Sequence, residues 1–387
     1  MKDSIISVAG AGTMGSSIAQ LAAQNRHMVR LYDIEEASLQ KAHESILASL
    51  TKLSQKGKLE NQSPEEVFQR ICFTTSLSDL SDSHLFIEAI VEDFEIKKKL
   101  FEAIEECVHP DCILCTNTSS LSVSKLSRVL GRPEKFAGLH FFNPATIMKL
   151  VEVVPGMNTS ERVLSQLIDL MKEWGKRAVR VKDTPGFIVN RVARPFYGEA
   201  LRIVEEQIAT PSEVDFIMKT KGGFRMGPFE LMDFIGLDVN FAVSYSVFEQ
   251  MYFDPRYRPS ILQQRMMESG RLGRKVGIGF YDYSSTAPML LDSAPDEELC
   301  DRVFMRIMAM LINEAVDAVY LNIADAAAVD EAMKYGANYP KGLIEWGRDI
   351  GFDRVKAVLD RLFDHYKDMR YRASAGFYES DRILQQV

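Results

Sequence analysis

The stretch Ser4-Ile5-Ile6-Ser7-Val8-Ala9-Gly10-Ala11-Gly12-Thr13-Met14-Gly15 joins a short β-branched apolar run to a glycine loop, which opens an Ala-rich helical segment, Thr13–Gln24. It fits G-x-G-x-x-G. In that pattern the first glycine makes the tight turn, the second lets a pyrophosphate approach the backbone, and the third lets helix and strand pack closely. N–H groups at the start of the helix then meet the anion. A glycine-rich turn alone can be only a turn, but here the next apolar run, Met28–Tyr32, ends at Asp33, 23 residues after Gly10. A carboxylate at that point accepts hydrogen bonds from the ribose hydroxyls and repels a 2′-phosphate, so the expected cofactor is NAD rather than NADP. Gly10, Gly12, Thr13, Met14, Gly15 and Asp33 are the expected cofactor-binding residues.

Working outward, residues 85–89, 113–116, 136–141 and 150–153 read as buried strands, separated by amphipathic stretches at 34–55 and 95–107. Alternating strand and helix predict an open, mostly parallel α/β sheet over residues 1–183. After Thr184-Pro185-Gly186 helical patterns dominate, giving a mostly α-helical domain at 184–283. A small, polar, proline-bearing stretch at 284–297 reads as a linker, and a third segment occupies 298–387. With a constant offset of 115 and no gap, residues 196–238 lie over 311–353 with 14 identities, among them Glu199/Glu314, Asp215/Asp330, Gly227/Gly342, Gly236/Gly351 and Asp238/Asp353. Shared helical composition would not hold both glycine pairs in register, so the third segment is expected to be a second copy of the helical domain.

The chain has 387 residues, with 46 Lys+Arg against 54 Asp+Glu and a net charge of −8. That balance argues against wrapping of nucleic acid or an anionic membrane, though a local basic pocket for a phosphorylated ligand is compatible with it. The apolar run at the N-terminus is too short for a signal peptide, and no stretch reaches the length of a membrane span. Five cysteines form an odd set that suggests reduced thiols and a cytoplasmic setting. Cys112-Ile113-Leu114-Cys115 spells C-x-x-C, but in a strand residues three apart face opposite ways, so core packing is expected and no metal site.

A second cluster comprises Asn117-Thr118-Ser119-Ser120, then His140-Phe141-Phe142-Asn143-Pro144, then Glu152 twelve residues after the histidine. One imidazole and one carboxylate near strand ends can form a base and its orienting partner. The alternative is a core histidine in an apolar strand. The other histidines, His27, His43, His84, His109 and His365, lack such neighbours and read as surface or structural.

Together with Asp183-Thr184-Pro185-Gly186-Phe187-Ile188-Val189-Asn190-Arg191, these motifs resemble the L-3-hydroxyacyl-CoA dehydrogenase family over about residues 4–283. The likeness is especially close to the phenylacetate-degradation type, the 3-hydroxyadipyl-CoA or 3-hydroxybutyryl-CoA dehydrogenases, in residues 190–195 and 270–275. The resemblance implies a Rossmann-type NAD-binding domain followed by the helical C-terminal domain, here in two tandem copies. It makes His140 the general base and Glu152 its partner, with Ser119 and Asn190 hydrogen-bonding the reacting oxygen. It puts Asp33 on the adenosine ribose, Glu92, Lys97 and Asn117 at the ribose and nicotinamide end, and Lys275 at the cofactor from the helical domain. Ser49 and Lys56, on a lysine-bearing arm at 35–58, are implied to contact coenzyme A.

The implied reaction is reversible oxidation of a short-chain or dicarboxylic (S)-3-hydroxyacyl-CoA to the 3-oxoacyl-CoA, in fatty acid or phenylacetate-type degradation. The partner is thus a small-molecule acyl-CoA. Met305 stands at the counterpart of Asn190, so the repeat is not expected to be a second active site. Short family members dimerise through the helical domain; the repeat is therefore expected to imitate that dimer within one chain, or the chain to form a homodimer. Two alternatives compete. One is a CoA-independent hydroxy-acid dehydrogenase of the gulonate dehydrogenase type, which the lysine arm and Phe141-Phe142 disfavour; the other is a non-catalytic NAD-binding protein.

Overall fold

The computed structural model describes residues 4–59, 61–284 and 294–379, and it divides into two compact units, Met1–Thr184 and Pro185–Val387. In the first unit strand and helix alternate: β1 (Ile5–Ala9), α1 (Thr13–Gln24), β2 (Met28–Tyr32), α2 (Glu36–Gln55), α3 (Pro64–Phe68), β3 (Ile71–Thr74), β4 (Leu85–Glu88), α4 (Phe94–Cys107), β5 (Ile113–Thr116), α5 (Val123–Ser127), β6 (Phe136–Phe141), β7 (Leu150–Pro155), α6 (Glu161–Glu173) and β8 (Arg177–Arg180). They form one sheet in the order β3-β2-β1-β4-β5-β6-β7-β8. Its first six strands are parallel, as a doubly wound nucleotide-binding sheet requires.

β7 runs antiparallel to β6. The chain between Phe141 and Leu150 is shorter than the dozen or so residues a parallel crossover needs, so the strand turns back. β8 returns through α6 and lies parallel to β7. The edge strands β3 and β8 are absent from the sequence-based expectation. Their sequences ICFT and RAVR are only partly buried and carry no continuous apolar run, so periodicity has little to detect.

One face of the sheet buries Ile6, Val8, Leu31, Ile87, Leu139 and Val153 in a cluster with α1, α2 and α6. α2 contributes Leu39, Ala42, Ile46 and Leu50, a helical stripe that leaves its lysines outward. On the other face Phe86, Phe101 and Phe136 meet edge to face. Cys112 and Cys115 are both buried, and burial pushes the Cys112 thiol up to about 12 and Cys115 higher still, as core packing implies.

The second unit comprises α7 (Val189–Val192), α8 (Arg194–Glu205), α9 (Pro211–Thr220), α10 (Pro228–Ile235), α11 (Leu237–Gln250), α12 (Ile261–Glu268), α13 (Glu297–Tyr320), α14 (Ala326–Gly336), α15 (Leu343–Ile350) and α16 (Phe352–Tyr366). No single helix among the described residues is long and apolar enough to cross a membrane. Most of the expected linker at 284–297 lies outside the described residues; Asp296, at its end, caps α13 by accepting from Leu299 N at 2.8 Å.

Two local devices recur in this unit. Asp215 Oδ1 and Oδ2 accept the N–H groups of Phe229 and Glu230 at the start of α10, and Asp330 does the same for Ile344 and Glu345 at the start of α15. In each case a glycine, Gly227 or Gly342, stands where any Cβ would collide with that aspartate. Gly236 (φ +101°) and Gly351 (φ +90°) then turn the chain into α11 and α16 through a left-handed conformation that favours glycine.

Buried ion pairs join α13 to the helices before it. Arg191 contacts Glu314 and Asp317, while Arg306 donates to Glu199 at 2.5 Å and to Glu206 at 2.7 Å. Tyr257 OH reaches Glu314 at 2.6 Å, and Tyr371 OH reaches Glu199 at 2.7 Å. Glu199 and Glu314 are almost fully shielded from solvent, so each depends on its guanidinium and phenol for compensation. Arg306→Met should therefore lower the stability of this unit by roughly 3–5 kcal/mol in urea unfolding, and adding Glu199→Gln should recover part of it. Equal losses in the single and double variants would contradict this electrostatic account.

Candidate active site

The antiparallel pairing of β6 and β7 sets His140 directly opposite Glu152. Residues opposite one another in a ladder project to the same face, and Nδ1 of His140 meets Glu152 Oε2 at 2.6 Å. Glu152 is fully buried and His140 6 % exposed. A carboxylate on Nδ1 fixes the ring's orientation and its tautomer, and it offsets positive charge when the imidazole takes a proton. The Phe142 ring lies 4.5 Å from the imidazole, centroid to centroid. Two residues before His140 on the same face, Gly138 leaves room for Val123 of α5, whose side chain a Cβ would meet at 2.9 Å.

Two of the other histidines have structural surroundings. His27 Nε2 accepts from Trp174 Nε1 at 3.1 Å, and His84 Nδ1 accepts from Ile5 N at 3.1 Å.

The three loop glycines divide their work as the motif implies. A Cβ on Gly10 would strike the Ala89 carbonyl, and one on Gly15 the Gly10 carbonyl, so both are packing requirements. A Cβ on Gly12 would meet nothing within 4 Å. Gly12 is exposed at the N-cap of α1, which has no side-chain cap, and the positive end of the helix opens there onto space that suits a pyrophosphate. Asp33 Oδ2 accepts the Ala11 N–H at 2.7 Å and so also clamps the loop. Met14, by contrast, is partly buried against the core.

Beside this loop lies a cleft of about 440 Å³, walled by α1, α2 and the β6–β7 connection. It brings together Gly12 and Thr13, expected at the dinucleotide, with Ser49, expected at coenzyme A, and it adds Lys41 and Asn143. Lys56 is exposed at the C-cap of α2 and does not line the cleft. Gln20 does line it, and its Nε2, in a side chain only 3 % exposed, has no hydrogen-bond partner among the described residues. A buried amide donor without an acceptor costs free energy. In the sequence Gln20 looks like one more residue of an Ala-rich helix, and only its burial without a partner marks it out.

At the carboxyl ends of β4 and β5 a polar network surrounds Glu92. Its Oε1 accepts from Thr118 Oγ1 at 2.6 Å, Ser119 N at 2.9 Å and Ser120 Oγ at 2.9 Å, and Lys97 Nζ lies 3.1 Å from its Oε2. Burial pushes the Glu92 carboxyl up, but Lys97 and the hydroxyl donors together hold it below the usual range. Lys97 itself is 1 % exposed and also pairs with buried Glu88 at 2.5 Å, so its ammonium faces two carboxylates. Asn117 Oδ1 accepts from Phe141 N at 2.8 Å, tying the end of β5 to the residue after His140. Glu88 was not singled out in the sequence, because an acid inside a buried strand has no local signature there.

In the second unit, Asn190 is half-buried in α7, and its carbonyl accepts from Arg194 Nε at 2.7 Å. Lys275 is exposed and bound to both oxygens of Asp238 at 2.6 Å.

Comparison with known proteins identifies the family of both units. Residues 5–184 match the model of the 3-hydroxyacyl-CoA dehydrogenase NAD binding domain, and residues 186–283 and 303–381 match that of the 3-hydroxyacyl-CoA dehydrogenase C-terminal domain. The chain is 37 % identical to the 3-hydroxyadipyl-CoA dehydrogenase of Escherichia coli, with 95 % of each covered. It is 44 % identical to a probable 3-hydroxybutyryl-CoA dehydrogenase of Deinococcus radiodurans, over 71 % of this chain and 99 % of that protein. A crystal structure of a 3-hydroxybutyryl-CoA dehydrogenase from Escherichia coli superposes with a TM-score of 0.93 at 35 % identity, covering 100 % of this chain and 99 % of that one.

Asp33 offers a direct check on the nucleotide site. Asp33→Ser removes a like charge from the position a 2′-phosphate would take, an effect worth about 1 kcal/mol in a solvated site. The preference for NADH over NADPH, measured as a ratio of dissociation constants by fluorescence, should shrink by roughly fivefold or more. An unchanged ratio would remove Asp33 from the ribose.

Proposed function

The chain belongs to the 3-hydroxyacyl-CoA dehydrogenase family, and from that premise we propose that it interconverts (S)-3-hydroxyacyl-CoA and 3-oxoacyl-CoA with NAD, acting on a short-chain or dicarboxylic acyl group. The observation that carries this reading is the His140–Glu152 pair, 2.6 Å apart and almost wholly buried, on a sheet whose glycine loop suits a dinucleotide. Bound NAD supplies the acceptor for the hydride leaving C3. His140, through the ring nitrogen other than the one held by Glu152, takes the proton of the 3-hydroxyl. Glu152 offsets the charge this leaves on the ring, and in the reverse direction the same imidazolium returns the proton. Ser119 and Asn190 are carried from the family resemblance as donors to the reacting oxygen.

Glu92 and Asn117 take up positioning roles in this reading. Glu92 gathers the N–H and hydroxyl groups of the loop that bears Ser119, and Asn117 holds the backbone next to His140. The cleft shared by Gly12, Thr13 and Ser49 supports a path for the phosphorylated arm of the substrate, with Lys41 at its rim. Five free thiols support a reducing, cytoplasmic setting.

We further infer that the second unit is two copies of one helical module, paired within a single chain. The helix bounds support this: α9, α10 and α11 begin at Pro211, Pro228 and Leu237, and α14, α15 and α16 begin 115 residues later, at Ala326, Leu343 and Phe352. The ion pairs support it independently, because the same offset converts Arg191–Glu314 into Arg306–Glu199. In a two-fold interface residue i meets j and j meets i, and that reciprocity is what a dimer folded into one chain would retain.

The reaction is tested by following NADH consumption with acetoacetyl-CoA and with free acetoacetate. Turnover should require the thioester and NADH. Glu152→Gln should lower kcat by roughly tenfold or more with little change in KM. Activity on the free acid alone would favour the CoA-independent alternative, and an unchanged kcat in Glu152→Gln would sink its assigned role.

A further inference from the structure

The second unit holds a cavity of about 480 Å³ between α8, α13 and α16, apart from every residue assigned above to the reaction. Arg302, Arg354, Arg361 and His365 line it, over a floor that includes Ile203 and Val358. The three arginines are exposed, and none makes a hydrogen bond or ion pair among the described residues. The other charged groups at the cavity are already spent. Asp301 is bridged by Lys221, and Arg306 is held by Glu199 and Glu206, the latter also accepting from Tyr366 OH at 2.6 Å. In a chain of net charge −8, three uncommitted guanidiniums on one concavity make a local positive potential that self-repulsion opposes until an anion arrives.

The repeat register sharpens the point. At the offset of 115, Arg302, Arg354, Arg361 and His365 stand at the positions of Phe187, Val239, Ser246 and Gln250. Four neutral side chains in the first module are thus basic or titratable in the second, while Val358 and Leu362 of the floor keep the apolar character of Val243 and Val247. The basic residues thus gather around a floor that stays apolar at both compared positions.

We propose that this cavity binds an organic phosphate, a phosphorylated nucleotide whose phosphates engage Arg302, Arg354 and Arg361 and whose flat base lies over the apolar floor beside His365 and Tyr366. Planar guanidiniums match phosphate oxygens bidentately, and the volume falls within the range of pockets that enclose a small ligand. The phosphoadenosine end of coenzyme A has this chemistry, and in that respect the proposal rests on the acyl-CoA reading above. The cavity would then be an ancillary site for substrate or product, sensed by the module that lacks the counterpart of Asn190.

The test is calorimetric titration of the full chain, saturated with NADH, with adenosine 3′,5′-bisphosphate as the probe, for the wild type and Arg354→Gln/Arg361→Gln. The variant should lose one binding equivalent per chain or bind at that site at least tenfold more weakly, with kcat for acetoacetyl-CoA unchanged. In the wild type, inorganic phosphate at the same concentration should compete poorly. Identical isotherms in the two proteins, or phosphate competing as well as the nucleotide, would overturn the proposal. Because kcat is read on the same samples, failure of the ancillary site and failure of the dehydrogenase reading appear as separate results.

Discussion

The reversal of β7 against β6 is the constraint on which the site depends. The six parallel strands could each carry a polar residue at their carboxyl ends, but a parallel neighbour would not set an acid directly across the ladder from His140 in so short a connection. Turning the chain back makes Glu152 the ladder partner of His140. A carboxylate and an imidazole are then brought together by backbone hydrogen bonding, without depending on a mobile loop. Burial makes the contact strong and also makes it obligatory, since neither group has bulk water as an alternative partner.

The same principle operates in the helical unit at larger scale. Glu199 and Glu314 are acids deep between helices, and each is compensated by an arginine and a tyrosine from elsewhere in the unit. Such pairs add little net stability over a well-packed apolar core, yet they penalise any arrangement that leaves one of the charges alone. They thereby favour a single register of α13 against α8. In the duplicated reading, the chain keeps an interface of fixed register while freeing the second module from catalysis, and the basic cavity lies where that module packs against α8.

Much of this was legible in the sequence because it depends on local pattern. The glycine loop and the central strands each follow from spacing that a helix or strand imposes. The pairing of His140 with Glu152 was legible only from residue type near strand ends and from the family resemblance; the antiparallel turn that makes them ladder partners was not. What escaped is what long-range packing decides. Edge strands β3 and β8 lack a continuous apolar run, Glu88 and Lys97 find each other across a strand and a helix, and Gln20 matters only because nothing partners it.

The most direct test of the central claim, that His140 moves the proton, is the single-turnover rate of NADH oxidation with saturating acetoacetyl-CoA for the wild type and His140→Ala. Loss of a positioned acid–base group is expected to slow that step by roughly 10²–10⁴-fold, with NADH affinity retained. A rate within a few-fold of the wild type, with both ligands bound, would contradict it and return His140 to the core of the sheet as a structural residue.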